Sequence, residues 1–340
     1  MHRRVVLIPG LLCTEAVWAR QAEALARGSP AVGSRPAVPP AAVTVVNVAA
    51  GSWTSMEGLA LSILREVPGD ERFSVAGLSM GGYAALALLR AAPERVERLA
   101  LVSSQARGDS AQTRSRREAL MAMARSEGAL DGVMELQAPL LLAPGLGSDS
   151  QCVGKLNGLR APGLARAREL AKDPGSALST VLEMAQSTGI DDFCRQQVAI
   201  AGRRDQRDLL PRVRVPSLVL CGRQDALIPF AVHQQVAAAL ASSPDLEPDA
   251  LSPVTKPPAS QGGTSAEAPA RANAGGAAAA AADAGAADAP GTAGERSTLM
   301  LRVLEECGHL PTIERPDETT QALFDWLALP TADGPTALLP

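Results

Sequence analysis

Short apolar runs alternate with amphipathic segments over the first hundred residues and again near the end of the chain. The runs show no polar alternation and end near Gly, Pro or Ser, which is typical of strands buried on both faces. We predict strands at Arg3–Ile8, Val43–Val48, Phe73–Ala76, Leu99–Ser103, Val215–Cys221 and Thr298–Leu304.

Between these runs, apolar residues recur three and four positions apart, as they do on a helix with one buried face. The first helix starts near Thr14, whose hydroxyl suits an N-cap. Further helices are predicted at Ser55–Val67, Met80–Ala91, Pro229–Ala241 and Asp317–Leu327. Because strands and helices alternate, the predicted fold class is α/β, with a mostly parallel sheet flanked by helices.

The pattern changes between Ser110 and Asp208, where the sequence has no convincing strand. Segments with helical periodicity are separated by Gly and Pro: Gln112–Ser126, Ala129–Leu142, Ala161–Ala171, Ser176–Ser187 and Asp191–Arg204. We therefore predict a helical lid over residues 110–208. It is inserted into a core that residues 1–109, 209–241 and 298–330 form.

Residues 242–297 are dominated by Ala, Pro, Gly and Ser and contain no aromatic residue. Such a tract cannot bury enough apolar surface to offset the entropy lost on ordering. We expect a disordered insertion there, and a long inserted surface loop adds little to the entropy of loop closure. Residues 331–340 are expected to form a flexible tail.

The composition limits the classes of function that this chain can have. The chain has 340 residues, 46% of them hydrophobic, which is enough for one large or two ordinary domains. A net charge of −4, no basic stripe and few aromatic residues argue against a nucleic-acid partner. No apolar run has the length of a membrane span or a signal-peptide core. Five scattered cysteines without a Cys-x-x-Cys pair indicate reduced thiols, so we expect a cytoplasmic protein. We also expect a monomer or homodimer.

Candidate chemistry begins with Gly77-Leu-Ser79-Met-Gly81, which lies between a predicted strand and a predicted helix. This Gly-x-Ser-x-Gly pattern forms a sharp turn that exposes the serine hydroxyl at the top of a sheet. The two glycines lack a Cβ where strand and helix approach each other. Since about one random chain of this length in ten would contain the pattern, it needs supporting partners.

A serine hydroxyl needs a base to take its proton. The chain has three histidines: His2 precedes the first strand, His233 lies inside an amphipathic helix, and His309 follows the last strand directly. Catalytic groups collect at the carboxyl edge of an open parallel sheet. We therefore predict that His309 is the base.

The base in turn needs a carboxylate that holds its tautomer. Asp225 lies four residues beyond the predicted strand that ends at Cys221, which suits the chain order Ser, Asp, His. Asp191 and Asp192 are alternatives, although they start a lid helix. Glu305 and Glu306 lie close to His309 in the sequence, so neither is the obvious orienting acid.

Acyl transfer also requires N–H donors for the oxyanion. The N–H of Met80, at the start of the helix after Ser79, supplies one of them. The N–H of Leu11, in the loop after the first strand, is expected to supply the other.

Other residues have plainer interpretations. Arg114, Arg116 and Arg117 are most simply the solvated face of a lid helix, with anion recognition as the alternative. Apolar lid residues predict a mostly hydrophobic pocket: Leu130, Val133, Met134, Leu136, Leu140 and Leu141. We see no metal-ligand cluster and no dinucleotide-binding glycine motif, so we expect no cofactor and no metal.

With these residues in register, the chain resembles the α/β-hydrolase superfamily, in its capped branch of carboxylesterases, enol-lactonases and cofactor-free haloperoxidases. The matching pieces begin at Val5, Val75, Leu218 and Glu306, and read VVLIPGLL, VAGLSMGGYAA, LVLCGRQD and ECGHLPTIERP. The resemblance implies that Ser79, Asp225 and His309 form a triad under a lid. Many relatives carry His-Gly where this chain has Pro9-Gly10, which leaves the shape of that loop open.

The resulting expectation is a serine hydrolase that cleaves a small-molecule ester, thioester or lactone through an acyl-enzyme. An alternative is a haloperoxidase or perhydrolase that uses the same triad with hydrogen peroxide. A non-catalytic binding protein on this fold is a third possibility, although no member of the triad is missing.

Overall fold

The computed structural model describes residues 3–33, 35–67, 69–144, 176–243, 246–248, 297–331 and 337–338. Its centre is a seven-stranded sheet with the strand order β2-β1-β3-β4-β5-β7-β6, in which every neighbouring pair is parallel. The strands are β1 Arg3–Ile8, β2 Ala41–Val45, β3 Phe73–Leu78, β4 Val96–Val102, β5 Ser217–Gly222, β6 Leu246–Pro248 and β7 Ser297–Leu304.

The sheet has an apolar layer on each face. Along β1, Val5 and Leu7 pack into one layer, whereas Val6 and Ile8 pack into the other. All residues of β3 and β5 are buried. Because side chains alternate between the faces of a strand, burial on both faces requires the continuously apolar runs seen in the sequence.

Helices cover both faces, so the predicted α/β fold class is confirmed. Helices α1 and α9 contribute to the layer that contains Val5, and α2, α3 and α7 contribute to the other. The helices are α1 Ala19–Arg27, α2 Met56–Glu66, α3 Met80–Ala91, α4 Ala111–Glu127, α5 Asp131–Leu141, α6 Ala177–Ala201, α7 Phe230–Leu240, α8 Pro311–Glu314 and α9 Pro316–Ala328.

The lid segment lies between β4 and β5. Helix α4 packs against α5 and α6, and the described residues of 110–208 contain no strand. Helix α6 is interrupted at Gly189, where φ is 71° and ψ is 173°, so the sequence boundary between two predicted helices corresponds to a kink. The predicted helix Ala161–Ala171 lies outside the described residues.

Two expectations about irregular segments need correction. The edge strand Leu246–Pro248 lies inside the tract 242–297 for which we expected no regular structure, and it pairs with β7. Most of that tract lies outside the described residues. In the predicted flexible tail 331–340, Ala337 and Leu338 are buried. The carbonyl of Ala337 accepts the N–H of Arg214 at 2.8 Å, so the prediction is wrong for these two residues.

In the described part of the chain, no helix combines the length and apolar character that a membrane crossing requires. The same residues contain no group of three or more His, Cys, Asp or Glu side chains arranged to hold a metal ion.

Candidate active site

Ser79 lies at the turn between β3 and α3 with φ of 52° and ψ of −110°, a conformation that L-residues rarely adopt. The flanking glycines permit it. A Cβ at Gly77 would overlap the Gly81 carbonyl, and one at Gly81 would overlap the Ile8 carbonyl. The turn that the sequence predicted is therefore present, and its close approaches require both glycines.

Backbone and side-chain hydrogen bonds hold the strained turn in place. The N–H of Ser79 donates to the carbonyl of Val102 in the neighbouring strand at 2.9 Å. The Ser104 hydroxyl donates to the Ser79 carbonyl at 2.8 Å. The serine is thus anchored to β4, and its side chain is left to meet a partner above the sheet.

His309 lies on the loop after β7 and meets Ser79 at the carboxyl edge of the sheet. Its Nε2 lies 2.9 Å from the Ser79 Oγ, and its Nδ1 lies 2.8 Å from the Asp225 Oδ2. The ring is 1% exposed. The structure therefore brings the three predicted residues into one hydrogen-bonded chain, with the histidine in the middle.

Asp225 is fixed by more than His309. Its Oδ1 accepts the N–H groups of Leu227 at 3.0 Å and Ile228 at 2.8 Å. Burial alone would raise the pKa of Asp225, but the charge of His309 and the hydrogen bonds from His233, His309 and Ile228 outweigh it. The pKa is lowered well below its ordinary value of 3.8, which keeps this carboxyl ionised.

His233, which the sequence does not favour as the base, lies beside Asp225 in the structure. It is fully buried on α7, and its Nε2 lies 3.4 Å from the Asp225 Oδ2. Its Nδ1 has no hydrogen-bond partner among the described residues, so Nε2 is the ring nitrogen placed to donate to Asp225. Its spacing of eight residues from Asp225, across a loop and the first turn of α7, is the sequence signal that was available.

Glu314 holds the loop that carries His309, and the sequence reasoning missed it. Its carboxylate accepts the N–H groups of Ala143 at 2.8 Å, Gly308 at 2.9 Å and Leu310 at 2.9 Å. Burial raises the pKa of Glu314, and the three N–H bonds act in the opposite direction. This side chain ties both neighbours of His309 to the end of α5.

The two predicted oxyanion donors lie beside Ser79. Met80 is the first residue of α3, and Leu11 lines the same cavity as Ser79. No described residue accepts a hydrogen bond from either backbone N–H. The loop after β1 is held from the lid, because the Gln196 Oε1 on α6 accepts the N–H of Leu12 at 3.1 Å. Leu12 itself has a φ of 59°.

The alternative acids lie elsewhere. Asp192 pairs with Arg195 at 2.6 Å, Glu305 with Arg223 and Glu306 with Arg315. Asp191 is exposed on α6, and His2 lies outside the described residues.

Above Ser79 and His309 lies a cavity of about 610 Å³ between the sheet edge and the lid. Its wall is more polar than predicted, since only Leu140 and Leu141 of the six apolar lid residues line it. Arg116 and Arg117 also line it. Arg116 is exposed, as expected for a solvated face, whereas Arg117 is half-buried and pairs with Asp109, so the expectation is wrong for Arg117. The Cys13 thiol lies in the wall too, but burial raises its pKa to about 12, so it stays protonated at neutral pH.

A family model described as the alpha/beta hydrolase fold matches residues 59–250, a range that includes Ser79 and Asp225 but not His309. A search of the curated proteins finds no significant match.

Several solved structures are similar over nearly the whole chain. An esterase from Thermogutta terrifontis is 20% identical with a TM-score of 0.57, over 96% of this chain and 90% of that one. An enol-lactonase from Burkholderia xenovorans LB400 is 19% identical with a TM-score of 0.58, over 96% and 92%. A bromoperoxidase from Bacillus anthracis is 12% identical with a TM-score of 0.57, also over 96% and 92%. At these identities the similarity establishes the fold.

Proposed function

This chain belongs to the α/β-hydrolase fold family, and from that premise we propose that it is a serine hydrolase. The proposed substrate is a small ester, thioester or lactone, and the proposed route is an acyl-enzyme on Ser79. One observation carries the proposal. Ser79, His309 and Asp225 form a continuous hydrogen-bonded chain, with distances of 2.9 and 2.8 Å.

Acylation follows from that chain. The Ser79 Oγ attacks the substrate carbonyl carbon while the His309 Nε2 takes the hydroxyl proton. Asp225 accepts the Nδ1–H of His309, which holds the tautomer and stabilises the ring as it becomes positive. The N–H groups of Leu11 and Met80 donate hydrogen bonds to the carbonyl oxygen and stabilise the negative charge that develops on it.

Collapse of the tetrahedral intermediate breaks the carbonyl bond to the leaving group, which takes the proton from the His309 Nε2. Water then enters, loses a proton to the same nitrogen and attacks the acyl carbon. The second collapse returns that proton to the Ser79 Oγ and releases the acid. No step requires a cofactor, and each proton transfer uses the same histidine.

Hydrolysis of p-nitrophenyl esters from acetate to octanoate tests the proposal. We expect turnover by the wild-type protein, and a loss of kcat/KM of about 10³-fold or more in Ser79→Ala. Ser62→Ala is the matched control, because Ser62 lies on α2 and its hydroxyl donates to the Leu59 carbonyl. Activity that survives in Ser79→Ala would contradict the proposal.

The peroxide alternative is tested in the same preparation. Bromination in the presence of acetate, bromide and hydrogen peroxide would indicate that peroxide replaces water in deacylation. A protein that binds esters without turning any of them over would instead be a binding protein on this fold.

A further inference from the structure

The cavity above Ser79 carries an excess of positive charge. Four arginines line it, against one aspartate: Arg107, Arg116, Arg117 and Arg203, against Asp109. They line the same cavity as Ser79 and His309, and no other Asp, Glu or Lys of the described residues lines it. A cleft lined by one sign of charge concentrates ligands of the opposite sign.

Asp109 organises two of these arginines. Its carboxylate is 2% exposed and lies 2.6 Å from the Arg117 Nε and 2.6 Å from an Nη of Arg203. Arg117 also donates to the Gln197 Oε1 at 2.7 Å, and Arg203 lies over the Tyr83 ring at 4.1 Å. One carboxylate therefore fixes two guanidinium groups and neutralises only one of their charges.

The other two arginines are not neutralised by the described residues. Arg107 and Arg116 are exposed side chains, and no carboxylate of the described chain pairs with either. Helix α4 carries Arg116, and the loop that leads from β4 into α4 carries Arg107. Both are thus charged donors at the rim of the cavity, free to form hydrogen bonds with a ligand.

Another part of the wall is apolar. Leucine and isoleucine side chains from the lid, from α6 and from the loops after β5 and β7 line the cavity: Leu120, Leu140, Leu141, Ile200, Leu227, Ile228 and Leu310. This combination suits a molecule with an aliphatic segment next to the reacting carbonyl and an anionic group farther along. A neutral alkyl ester would leave the arginine side of the cavity without a partner.

We propose that the substrate carries a carboxylate, and that Arg107 and Arg116 bind it while Asp109 holds Arg117 and Arg203 in the wall behind. The inference rests on the proposed hydrolase function for its reaction and on the arginines for its substrate class. The wall already binds one carboxylate, that of Asp109, between two guanidinium groups. Guanidinium donors pair with carboxylates through two parallel N–H bonds, which a neutral acyl chain cannot accept.

Matched substrate pairs test this proposal. For a carboxylate on the acyl side, the pair is mono-p-nitrophenyl adipate and p-nitrophenyl hexanoate. For one on the alcohol side, it is the hexanoate esters of 4-hydroxybenzoate and of phenol. We expect the ratio of kcat/KM for the charged to the neutral ester to fall roughly tenfold in Arg107→Gln/Arg116→Gln for at least one pair. Arg114→Gln is the control, since Arg114 lies on α4 but does not line the cavity.

A binding measurement keeps the test independent of turnover. Calorimetric titration of Ser79→Ala with adipate should give weaker binding when Arg107 and Arg116 are also replaced by Gln, and unchanged binding with Arg114→Gln. Unaltered kinetic ratios together with unaltered adipate binding would overturn the proposal. Arginine-dependent adipate binding in a protein that hydrolyses no ester would refute the hydrolase function and support the anion site.

Discussion

Ser79 holds a backbone conformation that costs on the order of 1–3 kcal/mol for a residue with a side chain. The observed φ of 52° is maintained by hydrogen bonds to Val102 and Ser104 and by the glycines on either side. This strain places the Ser79 Oγ against the ring of His309. The two glycines of the motif are required because the backbone around Gly77 and Gly81 packs too closely to leave room for a Cβ.

Asp225 provides a prediction about stability and pH. Its pKa is lower in the folded protein than its ordinary value of 3.8, so the unfolded chain takes up the proton first as the pH falls. The ionised carboxylate therefore stabilises the fold fully above about pH 4 and loses that effect as the pH falls towards the lowered pKa.

Asp225→Asn removes this titration. The free energy of unfolding of the wild type minus that of Asp225→Asn should shrink between pH 6 and pH 3, measured by urea denaturation. A difference that stays constant over that range would contradict the arrangement of hydrogen bonds around Asp225.

At the scale of elements, the lid does more than cover the cavity, because α6 also holds the loop after β1. Gln196 is fully buried, and its Oε1 accepts the N–H of Leu12, next to the proposed oxyanion donor Leu11. Among the described residues, the Gln196 Nε2 has no partner, so the accepted hydrogen bond is the polar contact that this side chain makes. The lid and the proposed oxyanion site are therefore physically coupled.

Replacing Gln196 by Leu should lower kcat about tenfold and change KM little, since the loop loses its anchor while the cavity wall is kept. Gln196→Glu is the matched variant, because it retains an acceptor oxygen and should recover much of the rate. Steady-state kinetics with a p-nitrophenyl ester makes the measurement. Equal kcat in the wild type and Gln196→Leu would show that the lid does not position this loop.

Sequence patterns located most elements because their strands are buried on both faces. The limits of β1 and α3 agree with the prediction, whereas β2 begins at Ala41 rather than Val43. The apolar run Val43–Val48 continues past the paired residues, so the pattern alone cannot show where pairing with β1 ends. Strand β6 and helix α8 are too short to produce a recognisable period.

For the whole molecule, the order of strands in the sheet explains why the candidate site was predictable. Ser79, Asp225 and His309 each follow a parallel strand, and carboxyl ends of parallel strands share one edge. In the sequence, His309 lies 84 residues from Asp225 and 230 residues from Ser79, yet the topology brings the three together.

The remaining site residues depend on orientations that a sequence does not specify. A polar stripe on α4 gives the same hydrophobic pattern whether it faces solvent or a cavity, so the sequence could not show that Arg116 and Arg117 line the cavity. The position of His233 depends on how α7 is rotated about its axis relative to the loop that carries Asp225. The position of Glu314 depends on the placement of a helix of only four residues. Packing between elements, rather than local pattern, decides these contacts.

Labelling with a fluorophosphonate tests the central claim most directly, because this reagent forms a stable bond with an activated serine. The wild-type protein should gain one adduct by intact mass, located on the peptide that contains Ser79, and Ser62→Ala should label equally. Ser79→Ala and His309→Ala should not label. A wild-type protein that stays unmodified, or an adduct that persists in Ser79→Ala, would contradict the account.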